Sequence, residues 1–141
     1  MANGWLTLNI LFQEICNSIK MLRNFLLIGL GGAIGSVLRY TTVLMLGTKS
    51  FPAATFFINI LGSFLIGIVI AFSLKNESFA INWKPFFATG LCGGFTTFSA
   101  FSLENLQLLQ EGKYFTCGMY VIASVLMGVV AVWLGYRLIT N

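Results

Sequence analysis

The sequence predicts an all-α membrane protein with four transmembrane helices, the third broken in mid-membrane. Three observations predict it. Hydrophobic residues make up 57% of the 141-residue chain and charged residues only 9%, against about 25% charged in an ordinary soluble domain. Four apolar stretches, about Leu22–Leu46, Ala53–Leu74, Pro85–Leu108 and Tyr114–Ile139, each approach the ~20 residues that cross a bilayer. Within the third, Gly90–Glu104 reads GLCGGFTTFSAFSLE, with glycines and hydroxyls where a spanning helix normally carries Leu, Ile and Val.

Residues 1–20 form a separate amphipathic N-terminal extension. Trp5, Leu8, Phe12, Ile15 and Ile19 make an apolar stripe at alternating three- and four-residue spacing, with Thr7, Asn9, Gln13, Glu14, Asn17 and Ser18 around it. That pattern predicts a helix lying on the membrane surface. The alternative is a misassigned or added leader ahead of a true start at Met21. Residues 21–141 then constitute the transmembrane domain.

The first span carries GLGGAIGS, Gly29–Ser36, followed by Arg39 and Tyr40. The Gly31/Gly35 spacing lets helix backbones approach closely, and the glycines do not complete a dinucleotide-binding pattern because position 34 is Ile34. Arg39 is the basic residue well inside an apolar stretch. It either snorkels to an interface or attracts anions at the mouth of a polar pathway. The second span holds Asn59, which is costly in lipid without a partner, and repeats the small-residue spacing at Ser63 and Gly67. Asn59 is either an interhelical hydrogen-bonding group or an amide donor facing a pore.

In the third span Gly93-Gly94 lowers helix propensity. Thr96, Thr97 and Ser99 supply hydroxyls for freed backbone groups or a passing ion. Phe95, Phe98 and Phe101 recur every three residues and are expected on one helical face. A broken helix in the bilayer is tolerated only where protein covers it or it lines a cavity; the plainer alternative is a kinked packing helix with an aromatic core stripe. The fourth span brings Tyr120 and Ser124 and closes at Arg137.

The chain has no His and no Asp, and its carboxylates are Glu14, Glu77, Glu104 and Glu111. Glu104 alone sits inside an apolar stretch, so general acid–base chemistry and a conventional metal site have almost nothing to draw on. Cys16, Cys92 and Cys117 are widely spaced and read as free apolar residues. An enzyme is not expected, and the scattered basic residues point to no nucleic acid. Four spans place both termini on one side, with Lys20, Arg23, Lys75, Lys84 and Arg137, against Lys49 and Lys113 opposite, plus Arg39 if it reaches that interface. So weak a bias permits insertion in both orientations. Four thin, glycine-rich helices enclose little by themselves, so an oligomer is expected. Hydroxyls of Thr96, Thr97, Ser99, Ser102, Tyr120 and Ser124, the Asn59 amide, the ring edges of Phe98 and Phe101 and the charge of Arg39 favour a small anion over a cation, while Glu104 argues the other way.

GGAIGSVLRY (Gly31–Tyr40), TFFINILGSFLIG (Thr55–Gly67) and GLCGGFTTFSAFSLE (Gly90–Glu104) together resemble the Fluc (CrcB) fluoride channels of bacteria. The resemblance covers about Met21 to Thr140. It implies an antiparallel dual-topology homodimer in the bacterial inner (plasma) membrane, with two pores that export fluoride passively and confer fluoride resistance. It further implies a structural sodium ion at the dimer interface, held by backbone carbonyls of Gly93 and Thr96. Phe98 and Phe101 match the family's pore phenylalanines, Asn59 its pore-lining Asn and Ser102 a neighbouring donor. Glu104, Tyr120 and Ser124 fall on its polar track, Thr97 beside them, and Arg39 matches a basic vestibule residue. The rivals are a small dual-topology proton-coupled multidrug exporter, which would want a carboxylate in the first helix, and a membrane scaffold whose polar residues serve packing alone.

Overall fold

The computed structural model describes residues 2–46 and 52–141, with side chains from Leu8 onward. Trp5 of the N-terminal stripe, Thr7 beside it, and Lys49 after the first span lie outside the described side chains. Every regular element among the described residues is helical: α1 (Ala2–Leu46), α2 (Ala53–Lys75), a short α3 (Glu77–Asn82), α4, α5 (Phe98–Gln110) and α6 (Tyr114–Thr140). The fourth element, α4, is π-helical over Pro85–Cys92 and α-helical over Gly93–Phe95. Four stretches, Leu8–Leu46, Ala53–Lys75, Pro85–Gln110 and Tyr114–Thr140, are long and apolar enough to cross a membrane. Large apolar side chains cover their outer faces, from Phe25 and Leu26 on α1 to Val129 and Leu138 on α6. Lipid is the solvent that such a surface suits, and the chain is a multi-pass membrane protein.

The first helix is longer than the first span. Residues 2–20 are not a separate helix; they continue without interruption into the first span. At 1.5 Å per residue, a 45-residue helix extends about 68 Å, more than twice the ~30 Å hydrocarbon core. The stripe residues Leu8, Phe12, Ile15 and Ile19 are all exposed. Between α2 and α4 the chain forms the short α3. Asn76 caps it by accepting from the Phe79 amide, and Glu77 sits in its first turn, where a negative charge complements the helix dipole.

Packing rests on two glycine-lined seams. On the first, α1 meets α4 backbone to backbone, with Gly31 and Gly35 facing the main chain of residues 86–95 and Gly90 and Gly94 facing that of residues 28–32. On the second, Gly67 of α2 faces Val132 and Tyr136 while Gly135 of α6 faces Phe64 and Ile68. Both seams use small residues to admit a neighbouring helix, which is how helices associate where no hydrophobic effect separates them from lipid. One end of the bundle is further tied by cations. Arg23 donates to Asn82 Oδ1 at 2.8 Å and to the Ile81 carbonyl at 3.1 Å. On the same end Lys75 donates to the Ile139 carbonyl near the end of α6. At the other end Gly112 takes φ +71°, the left-handed turn that joins α5 to α6.

A methyl group at Gly35 would collide with the Leu91 carbonyl and stand 2.7 Å from the Phe95 nitrogen, whereas nothing lies within 4 Å of one at Gly118. Gly35→Ala is therefore expected to destabilise the purified protein by about 1–3 kcal/mol. Gly118→Ala is expected to leave stability unchanged or raise it by up to ~1 kcal/mol. Thermal melts of the two variants in detergent check the contrast.

Candidate functional site

The glycines of the GGFTTF motif are not where the third span breaks. Gly93 has φ −63° and ψ −39° and remains helical through Phe95. The helix opens at the two threonines, with Thr96 at φ −76°, ψ 159° and Thr97 at φ −151°, ψ 119°, and resumes at Phe98. β-Branched residues accept extended backbone more readily than helix, so the sequence is locally suited to the opening, and Gly94 serves close approach to α1 instead. The opening also divides the aromatic series. Phe95 precedes it and is buried, while Phe98 and Phe101 follow on α5, so the three rings do not share one helical face.

An opened helix strands backbone groups, and side chains from α2 and the break itself take them up. Asn59 pairs with Thr97 twice: its Oδ1 accepts from the Thr97 amide at 2.8 Å and its Nδ2 donates to the Thr97 carbonyl at 3.1 Å. Thr97 Oγ1 in turn accepts from the Ala100 amide at 3.1 Å, an N-cap for α5, and lies 3.1 Å from Ser99 Oγ. Thr96 Oγ1 donates back to the Cys92 carbonyl at 2.9 Å. Arg39 reaches the same region from α1, its Nε donating to the Gly94 carbonyl at 3.2 Å.

A second polar cluster lies one turn away along α2. Glu104 Oε1 accepts from Thr55 Oγ1 at 2.5 Å, and its Oε2 accepts from the Tyr120 hydroxyl at 2.8 Å. The carboxylate is thereby shared between α2 and α6, and Tyr120 has no exposed surface. Sequence reasoning missed Thr55. The signal was present, since Thr55 and Asn59 stand four residues apart and so share a face of α2. Rings link this cluster to α5: Phe101 lies 5.0 Å from Tyr120 and 5.8 Å from Phe98, centroid to centroid. Phe98 itself is 80% exposed.

The remaining candidates stand apart from these networks. Ser102 donates to the Phe98 carbonyl one turn back and faces outward. Ser124 Oγ, one turn beyond Tyr120, is buried with no hydrogen-bond partner among the described residues. Two openings flank the break. One, of about 330 Å³, is lined by Asn59, Ser63, Gly93, Thr96, Thr97 and Phe98. The other, of about 210 Å³, is lined by Ser36, Arg39, Tyr40, Thr55 and Thr97 among others. Thr97 borders both.

Comparison with known proteins gives this arrangement a context. Residues 26–136 match the family described as "CrcB-like protein, Camphor Resistance (CrcB)". A relative named fluoride-specific ion channel FluC from Azobacteroides pseudotrichonymphae is 50% identical over 121 residues, 84% of this chain and 97% of its own length. Relatives of the same name from Flavobacterium psychrophilum and Oceanobacillus iheyensis are 47% and 42% identical, covering 77% and 83% of this chain and 90% and 92% of theirs. The chain belongs to the CrcB family.

Proposed function

We propose that this protein is a passive, selective fluoride channel of the bacterial inner membrane. One observation carries the proposal: relatives named fluoride-specific ion channels are 42–50% identical over 77–84% of this chain, and the family match over residues 26–136 contains every polar group gathered around the break. It is an ion channel and not an enzyme. Fluoride is strongly hydrated, so a pathway must replace lost water with many weak donors and hold no fixed positive charge that would trap the ion. Asn59 keeps one amide hydrogen beyond the one given to Thr97. The ring edges of Phe98 and Phe101 present the positive rim of the aromatic quadrupole. Ser124 Oγ, buried with no partner among the described residues, is a further donor on α6, while Ser102 and Tyr120 give their hydroxyl hydrogens to the Phe98 carbonyl and to Glu104 and would serve fluoride, like Thr97 beside them, on rotating towards it. Glu104 accepts one hydroxyl on each oxygen, from Thr55 and Tyr120, which partly offsets the cost of holding an acceptor there. Arg39 sits beside the smaller opening, where it would draw anions inward.

In the same proposal two copies assemble antiparallel, with two pores, and each copy exports fluoride from the cytoplasm. The exposure of Phe98 and of the opening beside Gly93 supports a partner that covers this face. The sodium expectation can be tested on the donor set. In a continuous helix the Gly93 carbonyl would accept from the Thr97 amide and the Thr96 carbonyl from the Ala100 amide. Both amides are engaged elsewhere, on Asn59 and on Thr97 Oγ1. Two carbonyls deprived of their helical donors suit a hard cation, and matching carbonyls from a second copy would complete the site. Gly93 and Thr96 therefore fit a structural sodium ion at the dimer interface.

Liposomes loaded with potassium fluoride or potassium chloride, with valinomycin added, are expected to release fluoride rapidly and chloride slowly, without a proton gradient. Drug uptake driven by a pH gradient in place of fluoride release would favour the exporter. Phe98→Ile and Phe101→Ile should each abolish fluoride release while the dimer survives size-exclusion chromatography; wild-type release from both would remove the rings from the mechanism. Replacing sodium by a large organic cation should lower the dimer's melting temperature, and an unchanged melt would count against the ion.

A further inference from the structure

The break in the third span sits where the local sequence offers two β-branched threonines but no proline and no left-handed glycine; Gly93 and Gly94 remain α-helical. Nothing in the covalent chain forbids a helix from running through Thr96 and Thr97, since a β-branched residue weakens a helix only modestly. The stronger agent lies across the interface. Asn59 is 38 residues away and offers Thr97 an acceptor at 2.8 Å and a donor at 3.1 Å, the same pair a neighbouring strand would present. Held extended, Thr97 adopts the conformation an N-cap requires, and its hydroxyl takes the Ala100 amide.

We propose that Asn59 is a positioning residue that enforces the break: it withdraws the Thr97 amide from the Gly93 carbonyl, and Thr97 Oγ1 then withdraws the Ala100 amide from the Thr96 carbonyl. The two substitutions are sequential. The first holds Thr97 extended, and only an extended Thr97 can cap α5. The outcome is that two carbonyls lose their helical donors, and α5 starts anew at Phe98. Phe98 is the first residue of the restarted helix and Phe101 follows one turn later, so the placement of both rings follows from the same clamp. Asn59 thus acts through Thr97 on the pathway, in addition to whatever its remaining amide hydrogen does for a passing ion. The link to ion passage rests on the channel proposal; the link to backbone conformation does not.

The test reads the backbone directly. Site-resolved carbon chemical shifts of Thr96 and Thr97, measured by solid-state NMR on the full chain in lipid bilayers, distinguish extended from helical backbone. Wild type should give extended shifts at both threonines. Asn59→Leu, which keeps the volume without polar atoms, and Asn59→Ala should lose the extended signature at Thr97. Asn59→Asp keeps the acceptor and should retain it. Extended Thr97 shifts in the Leu and Ala variants, or loss of the signature in the Asp variant along with the others, would overturn the proposal. Fluoride release from wild-type liposomes is followed in parallel: silence there fails the channel reading and leaves the shift comparison intact.

Discussion

The paired hydrogen bonds between Asn59 and the backbone of Thr97 are the constraint on which the rest of the site depends. A helix interrupted inside an apolar layer leaves amide and carbonyl groups with no water to satisfy them, at about 1–3 kcal/mol for each group left unmade. A carboxamide is the side chain that answers both needs at once, because it carries a donor and an acceptor side by side. Everything beyond the break, including the start of α5 and the positions of Phe98 and Phe101, follows from where that pairing holds the chain.

The pairing works only because α2 is held at the right height against α5, and glycine sets that height. Gly62 lies where a side chain would run into the methyl group of Thr96, while Gly67 and Gly135 bring α2 and α6 into backbone contact. On the opposite side, the seam between α1 and α4 presses Gly32 and Gly94 together and delivers Arg39 to the Gly94 carbonyl. Close approach and the polar contacts are therefore one arrangement. A seam widened by a single methyl group would carry the hydrogen-bonding partners out of reach, which is why small residues and buried polar residues occur on the same helices.

The Glu104 cluster shows the same economy. An isolated carboxylate in a low-dielectric layer is costly unless it is hydrogen-bonded, and Glu104 is held by hydroxyls on both neighbouring helices. Thr55 and Asn59 stand one turn apart on α2, and they engage Glu104 on α5 and Thr97, the residue that caps it. One face of α2 therefore reaches both polar clusters of the third span. The aromatic series Phe98, Phe101 and Tyr120 runs alongside, so ring edges and hydroxyls share a strip.

Much of this was legible in the sequence, and what was not has a physical reason. Hydropathy determined the four spans, because an apolar stretch of bilayer length has few other uses. The residues Asn59, Glu104, Arg39 and Tyr120 stood out because polar groups are expensive in such stretches. Which partner each one finds could not be read, since a hydrogen bond between positions 38 or 49 residues apart depends on the rotation and height of two packed helices. For that reason Thr55 escaped notice, the break fell at Thr96–Thr97 and not at the glycines, and Phe95 parted from Phe98 and Phe101. Local propensity marked Gly90–Glu104 as the unusual stretch. Only the tertiary structure, by bringing Asn59 against Thr97, decided where that stretch opens.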